Sequence, residues 1–190
     1  MAYQETYENG KPQLTTYRRA NGTAIDPGEA GVASEVHRKV QRLIPAFNFT
    51  NAELFSALSY LPGGHYSVHS DYLIYPSEEQ YDWWMKTMRN RIGTLIFGLE
   101  VAAQGGGTVF PILGTTIRIN PGDAFFWFSA RDDESEEHLT NHGGCPIYEG
   151  RKVIVTLWIR AKDQPILATP PTGASINAWQ LIPSLSKELL

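Results

Sequence analysis

The 190-residue sequence contains a single cysteine, Cys145. One thiol excludes an intramolecular disulfide, and it excludes a structural zinc site built from several thiolates. The cysteine lies in the stretch HGGCPIYEGRK, between His142 and Lys152. Three interpretations of this stretch are open from its residue types: a Cys–His catalytic pair, part of a metal site, or a site in which the cysteine only packs.

The sequence also lacks long apolar runs. None reaches the roughly 20 residues that a membrane-spanning helix requires, so we expect no membrane partner. The first residues, MAYQETYENGKPQ, are polar and lack the apolar centre of a signal peptide. We therefore expect that the chain as given carries no signal peptide.

An excess of basic residues is absent as well. The formal net charge is −4, whereas nucleic-acid binding generally requires a basic surface, so we expect no nucleic-acid partner. Hydrophobic residues make up 42% of the chain and charged residues 19%, which is typical of a globular domain. The length is sufficient for one domain with a substantial hydrophobic core.

Two stretches have the signals of a helix. Asp26, Pro27 and Glu29 form a helix start, and the pattern that follows predicts a helix over 27–43 that ends before Pro45. The apolar positions of this helix are Val32, Val36, Val40 and Leu43. A second helix is predicted to begin at Ser77, with Gln80 completing a capping box. Its apolar stripe, which we interpret as core packing, consists of Tyr81, Trp84, Met85 and Met88.

Most of the remaining sequence indicates short strands. The turn at Asn120–Asp123, for example, precedes the apolar run AFFWF. Predicted strands lie near 13–19 and over 54–60, 66–72, 91–101, 108–110, 115–119 and 152–160, with one further candidate at 138–142. Many short strands separated by turn signals predict a mainly β fold, a sandwich or jelly roll, with the two helices packed outside.

His69 and Asp71 are two residues apart on a predicted strand, so their side chains point to the same side. Two histidines and one carboxylate form the facial ligand set of non-haem Fe(II) oxygenases. The candidates for the second histidine are His37, His65, His138 and His142. The last two both precede the final strand, and spacing alone does not choose between them.

Lys152 begins the last predicted strand. Alternation places it on one face with Ile154, Thr156, Trp158 and Arg160. The opposite face carries Val153, Val155, Leu157 and Ile159. A lysine inside a strand is costly to bury without an anion. Lys152 is therefore either exposed at the strand end or placed to receive the carboxylate of a small acid.

Three motifs in order carry a resemblance to a known family. They are YLPGGHYSVHSD from Tyr60 to Asp71, GGTVFP over 106–111, and HGGCP followed by Lys152 and Trp158. The region over about 17–164 resembles the prolyl 4-hydroxylases, which are Fe(II)- and 2-oxoglutarate-dependent dioxygenases. The resemblance implies a double-stranded β-helix (jelly roll) with flanking α-helices. It also implies a dioxygenase domain over 1–164 and an extension over 165–190 that is either packed on the domain or free.

The resemblance also implies roles for individual residues. Lys152 would pair with the distal carboxylate of 2-oxoglutarate, and His138 would be structural or gating. The implied Fe(II) ligands are His69, Asp71 and His142. Further contacts to the cosubstrate are implied for Tyr60, Thr108 and Trp158, and contacts to the substrate for Tyr66, Arg91 and Arg160. On this reading Cys145 is a packing residue.

The implied reaction converts 2-oxoglutarate to succinate and CO₂ and hydroxylates a prolyl residue in a peptide or protein, with L-ascorbate as reductant. The substrate could be proline-rich. Arg160 stands where the family usually has histidine, Val153 where it has tryptophan, and the segment after Asp71 reads as a helix instead of a mobile flap. These departures leave open the same chemistry on another residue type or small molecule, and a metal-free jelly-roll binding module as a third interpretation. The family resemblance leaves the endoplasmic reticulum open as a compartment if the chain belongs to a longer precursor.

Overall fold

A computed structural model describes residues 17–181, except 30 and 169, together with 2–3, 6–8 and 11–13. Its strands are β1 Ala2–Tyr3, β2 Thr6–Glu8, β3 Lys11–Gln13, β4 Arg18–Arg19, β5 Asn21–Ile25, β6 Phe55–Tyr60, β7 His65–His69, β8 Arg91–Glu100, β9 Gln104–Gly105, β10 Thr108–Phe110, β11 Thr115–Ile117, β12 Ala124–Phe128, β13 His142–Gly144, β14 Ile147–Glu149 and β15 Lys152–Arg160. The helices are α1 Gly31–Leu43 and α2 Trp83–Met88. Short 3₁₀ turns occupy Phe49–Asn51, Glu78–Gln80, His138–Thr140, Pro165–Leu167 and Ala178–Leu181.

The strands form two main antiparallel sheets. The larger sheet has the order β1-β5-β6-β15-β8-β12, and the smaller has the order β11-β10-β13-β7-β4. Two further pairs, β14 with β9 and β2 with β3, are separate. The predicted mainly β jelly roll is confirmed, and β15 has the bounds that the alternation predicted.

Apolar side chains cover both faces of the larger sheet. An inner core cluster joins the two sheets, with Leu58, Ile96 and Ile154 from the larger sheet and Phe110 from the smaller. An outer core cluster on the opposite face contains Phe55, Leu95, Leu157, Ile159 and residues of α1 and the connecting segments. The alternation along β15 therefore places its even-numbered residues between the sheets, where the functional side chains lie.

Helix α1 starts later than predicted. The Asp26 carboxylate accepts from the Gly28 N–H at 2.7 Å, and the Glu29 N–H bonds the Asp26 carbonyl at 3.2 Å, but this forms an isolated turn. The helix begins only at Gly31. Gly28, in the predicted first turn, disfavours helical backbone. Its core-facing residues include Val36 and Val40, whereas the predicted core positions Val32 and Leu43 are exposed.

Helix α2 also differs from the prediction. Ser77 makes no capping hydrogen bond, and a 3₁₀ turn follows it. The helix begins at Trp83, because the Asp82 carboxylate caps it by accepting from the Met85 N–H at 2.7 Å. No residue of α2 is buried, so the interpretation of its stripe as core packing was wrong. No helix among the described residues has the length and apolar character needed to cross a membrane.

Two strands near the motifs are shorter than predicted. The strand predicted over 66–72 ends at His69, so Asp71 lies beyond it. The segment predicted as a strand over 138–142 is a 3₁₀ turn, and strand β13 begins only at His142. The Glu137 carboxylate stabilises this turn by accepting from the Leu139 N–H at 3.3 Å. After β15 the chain returns to the domain, and Ile176 is buried in the outer core cluster.

Candidate metal and cosubstrate site

His69, Asp71 and His142 meet between the two sheets. His69 on β7 and His142 on β13 are Cα partners across adjacent antiparallel strands. The Asp71 Oδ1 lies 3.8 Å from the His69 Nε2, and its Oδ2 lies 3.6 Å from the His142 Nε2. One ligand atom from each residue lies within 4.8 Å of the others, so the three side chains could hold a metal ion.

Both histidines have their tautomers set by the backbone. The His69 Nδ1 lies 2.8 Å from the Ser67 carbonyl, and the His142 Nδ1 lies 3.0 Å from the Thr140 carbonyl. A carbonyl can only accept, so each Nδ1 carries a proton and Nε2 is the ring nitrogen available to a metal. Burial lowers the pKa of His69 to about 4, with a further contribution from His142. A neutral imidazole with a free Nε2 is the form that binds a metal.

Asp71 is held by a threonine that the motifs did not indicate. The Thr94 hydroxyl, fully buried on β8, donates to the Asp71 Oδ2 at 2.7 Å and lies 3.3 Å from the Ser129 hydroxyl. Burial by itself would raise the pKa of Asp71, but His142, His69, Arg91 and the Thr94 hydrogen bond lower it overall. The carboxylate is therefore ionised. The only sequence signal for Thr94 is a polar residue inside an apolar strand.

Aromatic rings enclose the histidines. Tyr66 stacks on His69 with ring centroids 3.7 Å apart, and Trp127 meets His142 edge to face at 4.5 Å. Phe110 approaches His142 from the smaller sheet, with centroids 5.6 Å apart. These rings limit the access of water to the three ligand side chains.

Lys152 lines the same cavity as the three potential ligands. Its side chain is buried, and its Nζ lies 3.5 Å from the Thr108 hydroxyl and 5.8 Å from the centre of the Tyr60 ring. Lys152 forms no salt bridge with any residue that the structure describes. Burial lowers the pKa of Lys152 to about 8. A buried ammonium without an acidic partner, in a cavity shared with a metal-ligand set, fits the far carboxylate of a dicarboxylic 2-oxo acid.

Other β15 residues on the face that was predicted to carry Lys152 also line this cavity. They are Ile154, Thr156 and Trp158. Arg160 does not line it, and its side chain contacts Glu53 instead. The Tyr66 side chain lines the cavity as well.

Arg91 and Arg160 lie behind Trp158 and share one carboxylate. Arg91 binds Glu53 through two hydrogen bonds of 2.7 and 2.8 Å, and the Arg160 Nε lies 2.7 Å from the Glu53 Oε1. The Arg91 guanidinium lies 4.0 Å from the centre of the Trp158 ring. Arg160 is only 2% exposed. Glu53 was not recognised from the sequence, since no motif includes it.

The other histidines and the cysteine lie elsewhere. His37 on α1 bonds the Phe49 carbonyl, and His138 is largely exposed beside Glu136, with 3.4 Å between Nδ1 and Oε2. Among the described residues, the histidine that completes a ligand cluster with His69 and Asp71 is His142. Cys145 is half-buried with a free thiol, and its N–H bonds the Gly107 carbonyl at 2.8 Å.

Comparison with known proteins agrees with this geometry. The 2OG-Fe(II) oxygenase superfamily matches residues 55–160. The prolyl 4-hydroxylase subunit alpha-2 of Caenorhabditis elegans is 31% identical over 87% of this chain and 30% of its own length. The prolyl 4-hydroxylase subunit alpha-1 of Gallus gallus is 27% identical over 83% of this chain and 30% of its own length. The chain thus spans under a third of these curated relatives.

A solved structure shares both fold and sequence similarity. The viral collagen prolyl hydroxylase of Paramecium Bursaria Chlorella virus-1, in complex with 2OG, superimposes with a TM-score of 0.64 and 27% identity. The match covers 76% of this chain and 80% of the viral one. The region shared with the superfamily contains all the side chains that line the cavity.

Proposed function

Because the chain belongs to the 2OG-Fe(II) oxygenase superfamily, we propose that it is an Fe(II)- and 2-oxoglutarate-dependent dioxygenase that hydroxylates prolyl residues in a peptide or protein. The co-products are succinate and CO₂, and L-ascorbate serves as reductant. One observation carries the proposal: a single cavity contains both the His69, Asp71 and His142 set and the unpaired Lys152.

The three ligand side chains are close enough together to hold one Fe(II) ion. Two Nε2 atoms and one carboxylate converge from β7, the residues after it, and β13. Three protein ligands leave positions at the ion for a cosubstrate. Bound Fe(II), together with a 2-oxo acid, supplies the activation of O₂ that hydroxylation of a C–H bond requires.

Lys152 gives the cavity its selectivity for a dicarboxylate. Its ammonium would receive the distal carboxylate of 2-oxoglutarate, with the Thr108 hydroxyl 3.5 Å away as a second donor. The Tyr60 ring lies opposite Lys152 across β15 and β6 and lines the same end of the cavity. A point charge on a flexible stem suits a terminal carboxylate.

Tyr66 would form the substrate side of the cavity, and Trp158, which lines the same cavity, would contact the cosubstrate. Tyr66 stacks on His69, so a residue that approaches the metal position must pass this ring. The Arg91 guanidinium contacts the face of the Trp158 ring. Arg160 forms an ion pair with Glu53, which also binds Arg91. We propose that Arg91 and Arg160 hold Trp158 in place and contribute positive charge beside the substrate. The names of the similar proteins support prolyl peptides as the substrate class.

A different substrate for the same chemistry is the second candidate. Arg160 replaces the usual histidine and is tied to Glu53 and to the Arg89 carbonyl, which it reaches at 2.9 Å. A side chain held in this way presents a different surface from a histidine, which favours another residue type or a small molecule.

Mass spectrometry of a proline-rich peptide panel separates the two candidates. A mass gain of one oxygen in a prolyl peptide, stoichiometric with succinate formation, supports prolyl hydroxylation. Succinate formation without a modified peptide supports another substrate. Absence of any 2-oxoglutarate turnover with Fe(II) present contradicts both.

A further inference from the structure

Asp132 fastens the C-terminal segment to the loop between β12 and β13. The Asp132 carboxylate accepts hydrogen bonds from the hydroxyl of Thr172 at 2.7 Å and from the backbone N–H groups of Thr172, Gly173 and Ala174 at 2.9, 2.8 and 3.1 Å. The Asp132 N–H donates in return to the Ala174 carbonyl at 3.1 Å. Because Ile176 is then buried in the outer core cluster, the segment 172–176 is attached at both ends.

Ser175 lies between these two attachments and contacts Glu137. The Ser175 hydroxyl donates to the Glu137 Oε2, while the Glu137 Oε1 accepts from the Leu139 N–H at 3.3 Å. Glu137 is only 4% exposed, and it caps the 3₁₀ turn His138–Thr140. A buried carboxylate depends on the donors that satisfy it, so Ser175 helps to determine where this cap lies.

The turn that Glu137 caps contacts His142 directly. The Thr140 hydroxyl donates to the Phe128 carbonyl at 2.6 Å and also lies 3.0 Å from the Glu137 carbonyl, which fixes the turn against β12. The Thr140 carbonyl accepts from the His142 Nδ1–H at 3.0 Å. The partner of Nδ1 sets the tautomer and the ring orientation of a metal-binding histidine.

We propose that the segment 172–176 is part of the support of the metal site, with Ser175 and Glu137 as positioning residues. Ser175 positions Glu137, Glu137 positions the turn, and the Thr140 carbonyl orients His142. The inference rests on the proposed function, since it takes His142 as a metal ligand. The superfamily match ends at residue 160, so this chain supports a matched ligand with a segment outside the matched region.

The test is Ser175→Ala in the full chain, with Co(II) as the probe ion. We expect the affinity for Co(II) to fall by at most about 10-fold, the lower end of the range for losing a direct outer-shell partner, because Ser175 acts on His142 through Glu137 and Thr140. The visible spectrum of bound Co(II) should also change, because the orientation of His142 is altered. Ser175→Thr, which keeps the hydroxyl, should restore both.

Ser135→Ala is the matched control. Its hydroxyl donates to the Asp133 carboxylate at 2.5 Å in the same loop, and among the described residues it makes no hydrogen bond to Glu137 or to the segment 172–176. We expect the wild-type affinity in this variant. An equal loss in both variants, or an unchanged affinity and spectrum in Ser175→Ala, would overturn the inference alone. Failure of the wild-type protein to bind Co(II) would overturn the proposed function as well.

Discussion

His69 and His142 each donate their Nδ1–H to the backbone carbonyl two residues before them, and they do so from opposing positions on β7 and β13. Two strands thus present equivalent imidazoles to the one carboxylate of Asp71. Each ring is therefore oriented by its own backbone. The following predictions test this arrangement and its surroundings.

Replacing His142 with alanine should abolish both metal binding and 2-oxoglutarate turnover. The remaining pair, His69 and Asp71, offers too few ligands for tight binding of Fe(II). Isothermal titration with Mn(II) and a succinate assay measure the two effects. His138→Ala is the control, since His138 is largely exposed and four positions away. Retained turnover in His142→Ala would contradict the ligand assignment.

Replacing Lys152 with methionine should weaken 2-oxoglutarate binding by about 10- to 100-fold, because a charge-assisted hydrogen bond is lost. Metal affinity should be unchanged, since Lys152 is not among the ligands. Titration of the Mn(II)-loaded protein with 2-oxoglutarate gives the value directly. Lys86→Met, an exposed lysine on α2, should leave it unchanged. An unaltered affinity in Lys152→Met would remove Lys152 from the cosubstrate site.

The affinity for 2-oxoglutarate should fall as the pH rises through about 8, the pKa of the buried Lys152. The carboxylate needs the protonated ammonium, so the loss approaches about tenfold per pH unit until the higher pKa of the bound form is reached. The stability of the ligand-free protein changes in the opposite sense. Between this pKa and the ordinary value of 10.5, the unfolded chain binds more protons, so unfolding costs more as the pH rises.

Titrations with 2-oxoglutarate between pH 7 and pH 9.5 test this dependence. Lys152→Met should remove it, because the variant lacks the ammonium that binds the distal carboxylate. A dependence of equal size in wild type and variant would assign the titration to another group.

Replacing Thr94 with valine should lower metal affinity by about 10-fold while the fold is kept, because valine matches the shape of threonine but cannot donate to Asp71. Co(II) titration measures the change. Ser129→Ala removes only the longer 3.3 Å contact to Thr94 and should have a smaller effect. Equal effects of the two substitutions would argue against the Thr94 bond as the determinant of Asp71 orientation.

Replacing Glu53 with glutamine should destabilise the protein by about 3 kcal/mol, because the buried Arg160 and the half-buried Arg91 lose the carboxylate that they share. Urea unfolding measures the loss. Glu100→Gln, which breaks the exposed pair with Arg151, is the control and should leave the unfolding midpoint unchanged. A similar midpoint for Glu53→Gln and wild type would show that the cluster contributes no net stability.

The sequence predicted the residues of the cavity better than the elements that carry them. Alternation along 152–160 placed Lys152 and Trp158 on the correct face, because a period of two needs no knowledge of distant contacts. It did not reveal that Arg160, at the end of the strand, contacts Glu53 instead of lining the cavity. His69 and Asp71 do share a side, although β7 ends before Asp71 and the strand argument does not apply there.

The supports of the site could not be predicted from the sequence. Thr94 donates a hydrogen bond to Asp71, which is distant from it in the chain. Glu53 forms ion pairs with Arg91 and Arg160, which are also distant in the chain. Ser175 reaches His142 only through a folded loop. Local sequence patterns do not indicate such long-range contacts. The metal-ligand residues, in contrast, lie in short motifs that can be recognised in the sequence.

Anaerobic titration of the protein with Fe(II) and 2-oxoglutarate tests the central claim most directly. The account predicts a visible absorption band that requires both additions in the wild-type protein. The same band should be absent in His142→Ala and should need far more 2-oxoglutarate in Lys152→Met. A wild-type protein without the band, or a band of full intensity in His142→Ala, would contradict the account.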